Sequence, residues 1–420
     1  MKYDFDSYLL YEVTKSSLYT VRIIVELNVP VHGEVLRGAA QKAFRRFPYY
    51  SRTVRTDEHG AYVLEPCEKP ICVFEEKEAP VRLGAEQTNG LLFAITYSQS
   101  TVYFNFSHNF CGGCGAMLWV KSTLWQYLTD DGYAIDSAGI LTPDSPITPE
   151  ETAVPDPGSF PQEEIIGQYT GGNSYVPILE YLPYLTNPSK GGQVFYPITI
   201  DRSALMKYAR DNDGSPNSIL SAAMFRMCSR VFQNARQISA GIVCNYRQDV
   251  GCPETYRDLV RVLHARYLPG MKDWPIEKLS TVTRGAMYLQ MQPELSRKTY
   301  RQVAAYRDQI DKIPGKVLKT AYALNNSPLR SGVKDTFNVS YVGNVDWGSL
   351  SEYVDEVYSL TEGHLMLEVN SAGDKFCIAF QVLNRDENFV REFIRVLEEE
   401  GIPYELGEMM ESRLPQIEIS

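Results

Sequence analysis

The chain has 420 residues, enough for two subdomains of ordinary size, each with its own core. A formal net charge of −11 and a pI near 5.2 argue against nucleic-acid binding as the overall role, which needs a basic surface for phosphates, and speak mainly for solubility. The opening MKYDFDSYLLYEVTKSS lacks the basic and apolar segments of a signal peptide, and no later run approaches the ~20 apolar residues of a membrane span, so a cytoplasmic location is the default expectation.

Residues 18–28, LYTVRIIVELN, are rich in β-formers and predict a strand. Residues 33–47 then place Val35, Leu36, Ala39, Ala40, Ala43, Phe44 and Phe47 on one helical stripe, which Pro48 stops. Short strands follow at 51–55, 62–66 and 71–75, with a turn at Glu58-His59-Gly60, and 91–97 pairs with 101–107 in a hairpin through Ser98-Gln99-Ser100.

The stretch 101–128 changes hydrophobic period. Val102, Phe104 and Phe106 alternate with polar neighbours, so His108 closes a strand, whereas Met117, Val120, Leu124 and Tyr127 recur at helical spacing. Gly112, Gly113 and Gly115 mark the connection, where glycine allows positive φ and close approach of a ligand, and the helix start aims unpaired N–H groups back at the turn. A histidine facing such donors can do proton chemistry, although the same strand, turn and helix also occur as plain architecture. Cys111 and Cys114 form a CxxC at the helix start. They read as packing residues, as half a zinc site without a second CxxC, or as a thiol nucleophile beside His108; packing, with no metal, is the preferred reading. His32 and His59 sit in turn-like sequence, and His264 and His364 read as surface or satisfied core histidines.

From 141 to 192 the composition turns to Pro, Gly, Thr, Ser, Asp and Glu, which divides the chain into a first half at 1–140, a crossover at 141–192 and a second half at 193–420. The second half opens with a strand at 194–200 and a helix from Ser203; Ser218 reads as the N-cap of a further helix, and a strand at 238–245 runs into Tyr246-Arg247. Residues 296–334 carry a basic run, with Lys312, Lys316, Lys319, Arg330 and Lys334 among it, readable as a patch for phosphates or as a solvated helix face. The chain ends with strands at 364–370 and 375–382, joined through Ser371-Ala372-Gly373-Asp374, and an amphipathic helix at 387–400.

His108-Asn109-Phe110-Cys111-Gly112-Gly113 resembles the HxxxDG motif of the chloramphenicol acetyltransferase-like superfamily, which includes alcohol acyltransferases, BAHD enzymes, wax-ester synthases and condensation domains. Gly112 stands where the motif has aspartate. The ending Arg46-Phe47-Pro48 resembles the close of the first helix in the same proteins, Ser340-Tyr341-Val342-Gly343 resembles their S-N-L-G element, and Asp346-Trp347-Gly348 resembles a shortened DFGWG motif.

The resemblance implies an α/β fold of two similar mixed-sheet subdomains with a tunnel between them, and an acyltransferase in which His108 is the general base. It implies acyl-CoA, with acetyl-CoA first among candidates, as cosubstrate with no permanently bound cofactor, and a small-molecule alcohol or amine as acceptor; the basic run is then the candidate site for the coenzyme A phosphates. A carrier-protein thioester as donor, or a catalytically silent binding member, are the alternatives. Gly113, Ser340 and Tyr341 are the candidates for oxyanion donors. In these proteins the motif aspartate pairs with an arginine; here Arg247 is present, and Asp249 or Asp346 is the expected substitute partner. Tyr175, Tyr181, Tyr184 and Trp119 suggest an apolar or aromatic acceptor.

Overall fold

A computed structural model describes residues 5–14, 17–161, 192–233, 235–327, 335–343, 345–383 and 385–419. In the first half the alternating segments form strands β1 (Thr20–Leu27), β2 (Arg52–Thr56), β3 (Tyr62–Pro66), β4 (Cys72–Glu75), β5 (Arg82–Leu83), β6 (Phe93–Ser98) and β7 (Thr101–Ser107). Helix α1 (Gly33–Phe44) buries Leu36, Ala39, Ala40, Ala43 and Phe44, and lies beside α2 (Gly113–Asp130). Trp119 of α2 is fully buried, with its ring edge-on to Phe93, Phe104 and Phe106. It is therefore a packing residue of the first core rather than part of an acceptor surface.

The remaining strands are β8 (Gln193–Asp201), β9 (Ile238–Asn245), β10 (Val260–Tyr267), β11 (Phe337–Tyr341), β12 (Val354–Thr361), β13 (Leu365–Ala372), β14 (Lys375–Leu383), β15 (Glu405–Leu406), β16 (Met410–Glu411) and β17 (Gln416–Ile417). Two mixed sheets result. The first has the order β12-β1-β7-β6-β4, and the second β10-β9-β11-β13-β14-β8-β15 with β16 also on β8. β12 thus leaves the second stretch of chain and pairs antiparallel with β1, Ile24 opposite Tyr358. The C-terminal β17 likewise pairs with β5.

Period-two alternation gives the second sheet two distinct faces. Phe337 and Val339, Leu365, Leu367 and Val369, and Ile378 and Phe380 pack into the second core. The Pro216–Val231 and Glu387–Glu399 helices supply the other side of it; the latter buries Phe389, Val390, Phe393, Ile394, Val396 and Leu397, each contributing about 1.5–3 kcal/mol. From the opposite face Phe195, Ala372, Cys377 and Ala379 belong to the first core, so this face is turned toward the first half. The Pro216–Val231 helix begins one position set earlier than its sequence suggests: Ser215 is the N-cap, and Ser218 closes a capping box as its N3 residue.

Candidate active site

β7 ends at Ser107, and His108 follows with its backbone N–H donating to Tyr19 O at 2.8 Å. Its side chain is 27% exposed, and Nδ1 lies 3.3 Å from Oδ2 of Asp258, in the connection between β9 and β10. Burial would lower the imidazole pKa. The Asp258 charge and its hydrogen bond, the ring's contact with its own backbone and a smaller push from Glu368 outweigh this and raise it to about 9. A free histidine would stay largely neutral at pH 7; this one holds both protons at rest.

The glycines of the turn serve a different purpose from the one their sequence suggests. None of Gly112, Gly113 and Gly115 has positive φ. Instead, a Cβ on Gly112 would stand 2.7 Å from Asp258 Oδ1, and a Cβ on Gly115 would stand 2.2 Å from Tyr256 O. Absent side chains here admit another segment of the same chain, residues 256–258, against the start of α2. Gly112 is the N-cap of α2, so the Asp258 carboxylate rests at the helix end where the backbone dipole favours negative charge.

Several side chains hold that segment. Arg247, 4% exposed, donates to Arg257 O at 2.8 Å and Tyr256 O at 3.4 Å, and among the described residues it has no carboxylate partner. Arg257 donates to Tyr49 Oη at 2.8 Å and Thr152 O at 3.0 Å. Arg46, at the close of α1, makes a buried paired contact with Glu151 at 2.5 and 2.9 Å and reaches Tyr256 Oη at 3.2 Å. The Arg-Phe-Pro ending, the crossover and residues 256–258 are thereby tied together.

The expected substitutes for the motif aspartate lie elsewhere. Asp249 accepts from Ser296 Oγ at 2.5 Å, at the start of the Pro293–Lys312 helix, because the chain after Arg247 has turned toward that helix. Asp346 accepts from Gly348 N at 2.9 Å as a turn residue. Trp347 is buried and donates from Nε1 to Ser371 O at 2.8 Å, while Gly348 takes a φ of 55°.

β11 reaches the site with alternate residues. Val342, just past its end, lies 3.8 Å from the position of a Cβ on Gly113, and Ser340, two residues earlier, stands level with Glu368 on β13, where its hydroxyl pulls the carboxyl pKa down. Tyr341 points the other way, against Phe376 at 6.0 Å between ring centroids. Next to His108, Asn109 is 2% exposed and neither atom of its amide has a hydrogen-bond partner among the described residues.

The basic run is not a continuous face. Lys319 is 3% exposed and donates to Ile310 O at 2.5 Å, with burial lowering its pKa; Lys316 sits over the Tyr62 ring at 4.8 Å; Lys312 is exposed at its helix end. Arg330 and Lys334 lie outside the described residues, as do Tyr175, Tyr181 and Tyr184. None of the eight cysteines is in a disulfide, Cys111 is buried and Cys114 exposed, and no group of three or more metal-capable side chains gathers among the described residues. His32 faces Asp131, His264 pairs with Asp335 at 2.9 Å, and His364 contacts backbone carbonyls, its pKa pushed down to about 4 by burial. No helix among the described residues is long and apolar enough to cross a membrane.

No protein-family model matches the chain, and no characterised protein matches it by sequence. Solved structures do. TRI101 of F. graminearum, complexed with coenzyme A and T-2 mycotoxin, is 12% identical with a TM-score of 0.59, over 94% of this chain and 98% of that one. Polyketide synthase associated protein 5 from Mycobacterium tuberculosis is 12% identical with a TM-score of 0.54, covering 94% and 95%. The first condensation domain of the CDA synthetase is 15% identical with a TM-score of 0.54, covering 94% of both. The chain has the chloramphenicol acetyltransferase-like fold, with two similar α/β subdomains.

Proposed function

We propose that the protein is an acyltransferase that moves an acyl group, acetyl first among candidates, from coenzyme A to a hydroxyl or amine of a small molecule. The observation that carries this reading is the His108–Asp258 pair, 3.3 Å apart at the end of β7 and beside the start of α2. Asp258 holds the ring through Nδ1, which leaves Nε2 for the acceptor. Neutral His108 takes the acceptor proton as the acceptor oxygen or nitrogen attacks the thioester carbonyl; the tetrahedral oxyanion collapses, the C–S bond breaks, and the leaving thiolate receives the proton from His108. The N–H groups at Gly113 and the start of α2 are the preferred oxyanion donors, worth a few kcal/mol each, since Ser340 is engaged with Glu368 and Tyr341 faces the second core.

A carrier-protein thioester is the second reading for the donor. The internal engagement of Lys319 and Lys316 favours it, because it removes two cations from the proposed coenzyme A phosphate site. One experiment addresses both: thiol release from acetyl-CoA, and in parallel from an acetylated acyl carrier protein, with a panel of alcohols and amines, comparing the natural chain with His108→Ala. Loss of transfer by at least a hundredfold in the variant supports the general base. Equal rates in both sink it, and transfer from an acyl carrier protein alone favours the second donor.

A further inference from the structure

In the middle of β13, Glu368 is 2% exposed and lies on the sheet face turned toward the first half. Thr361 Oγ1, at the end of β12, donates to its Oε1 at 2.6 Å, and Ser340 stands level with it on β11, its hydroxyl favouring the ionised carboxyl. Among the described residues no lysine or arginine stands within ion-pair distance. β11 pairs with β13 so that Ser340 stands level with Glu368, and Val342, two residues on, lies 3.8 Å from the position of a Cβ on Gly113 in the His108 turn, so this face borders the candidate site and feels the His108 charge. Burial pushes the Glu368 pKa up to about 7, against the pull of the two hydroxyls and of His108.

A carboxylate buried without a cation is costly, whereas glutamine in the same place would keep the hydroxyl contacts at no such cost. Neighbouring polar groups do not offset the charge. Asn370, also on β13, is occupied with Ser359, and Gln193 donates to Gln381 Oε1 at 2.6 Å while the Gln381 Nε2 remains without a partner. At rest the His108 charge is the counter-ion of this face; once His108 is neutral, as a base must be, no lysine or arginine among the described residues stands at ion-pair distance to replace it.

We propose that Glu368 is a specificity-determining residue that selects an acceptor carrying a protonated amine. The ammonium supplies the missing cation at Glu368, and a separate hydroxyl or neutral amine of the same molecule meets His108. The acceptor class is accordingly the amino alcohols and diamines. This deepens the acyltransferase reading and rests on it.

The test measures thiol release from acetyl-CoA with a chain-length series of α,ω-amino alcohols, each beside the n-alkanol in which a methyl replaces the ammonium. The natural chain should favour the amino alcohol at least tenfold in kcat/KM at the best length, and Glu368→Gln should bring that ratio to near one. Because Glu368 also raises the His108 pKa, its removal shifts both acceptors alike and leaves the ratio as the informative quantity. No preference in the natural chain, an unchanged preference in the variant, or an equal loss for both acceptors with a lower melting temperature overturns the proposal. Should neither protein transfer to any acceptor, the acyltransferase reading fails separately, and calorimetry with the same amino alcohols and alkanols decides the inference. Tenfold tighter amino alcohol binding that Glu368→Gln removes supports a cation site; equal binding overturns it.

Discussion

Asp258 and Gly112 share one place: Oδ1 of Asp258 lies 2.7 Å from the point that a Cβ on Gly112 would occupy. The carboxylate missing from the histidine turn is thus matched by one arriving from the β9–β10 connection, and it contacts His108 directly. Gly112→Asp alone should be destabilising by about 1–3 kcal/mol through overpacking, with like-charge repulsion added. Combined with Asp258→Gly it should recover at least about 1 kcal/mol, read as a coupling in a double-mutant cycle of denaturant unfolding. Strict additivity of the two changes would separate Gly112 from Asp258.

On the proposed mechanism, the His108 pKa of about 9 should set the pH dependence of acyl transfer. With neutral imidazole as the proposed base, kcat/KM for a neutral alcohol should climb with pH, reach half its plateau near 9 and level off above that. Asp258→Asn should move the inflection down by at least one unit and lower the plateau. The same pair links to stability: a histidine with a raised pKa stabilises the fold below its ordinary value of 6.5 and loses that contribution as pH rises through 9. The stability gap between the natural chain and Asp258→Asn should therefore narrow across this window.

Two glycines of the turn should respond oppositely to alanine. At Gly113 the nearest atom to a new Cβ is 3.8 Å away, an ordinary contact, so Gly113→Ala should change stability by less than about 1 kcal/mol. Gly115→Ala drives a Cβ to 2.2 Å from backbone Tyr256 O and should cost about 3 kcal/mol or more, displacing residues 256–258 and with them Asp258. Thermal melts of the two variants decide the matter.

Substitution at Lys319 should affect folding rather than cosubstrate binding. Lys319→Met removes donors from Ile310 O and Asp311 O and should lower stability by about 1–3 kcal/mol, with coenzyme A affinity unchanged at low and high salt. A large, salt-dependent loss of coenzyme A affinity in a fully folded variant would restore Lys319 to a phosphate site.

Much of the layout was legible locally. The period change at His108, the stripe from Leu36 to Phe44 and the alternation through β13 and β14 are properties of adjacent residues, and each element formed where its pattern lies. Asp258 was not legible, because its carboxylate gains meaning only from folding onto Gly112, far earlier in the chain. Glu368 was hidden within an apolar strand, where one acidic residue alters the period little. β12 has a burial pattern broken near a register shift at Glu26 and Leu27, and nothing in its own residues announces that its partner is β1. Ser218 misled because Ser215 satisfies the same capping chemistry one turn earlier.

The exchange of β12 has a bearing on how the protein is made. The first sheet needs residues as late as Thr361, and β5 waits for a partner as late as Ile417. As the chain leaves the ribosome, β1 therefore keeps one edge bare until most of the second half has been synthesised. Fragments cut at the crossover would each be born incomplete, so the two halves should recover structure when co-expressed and aggregate when expressed apart.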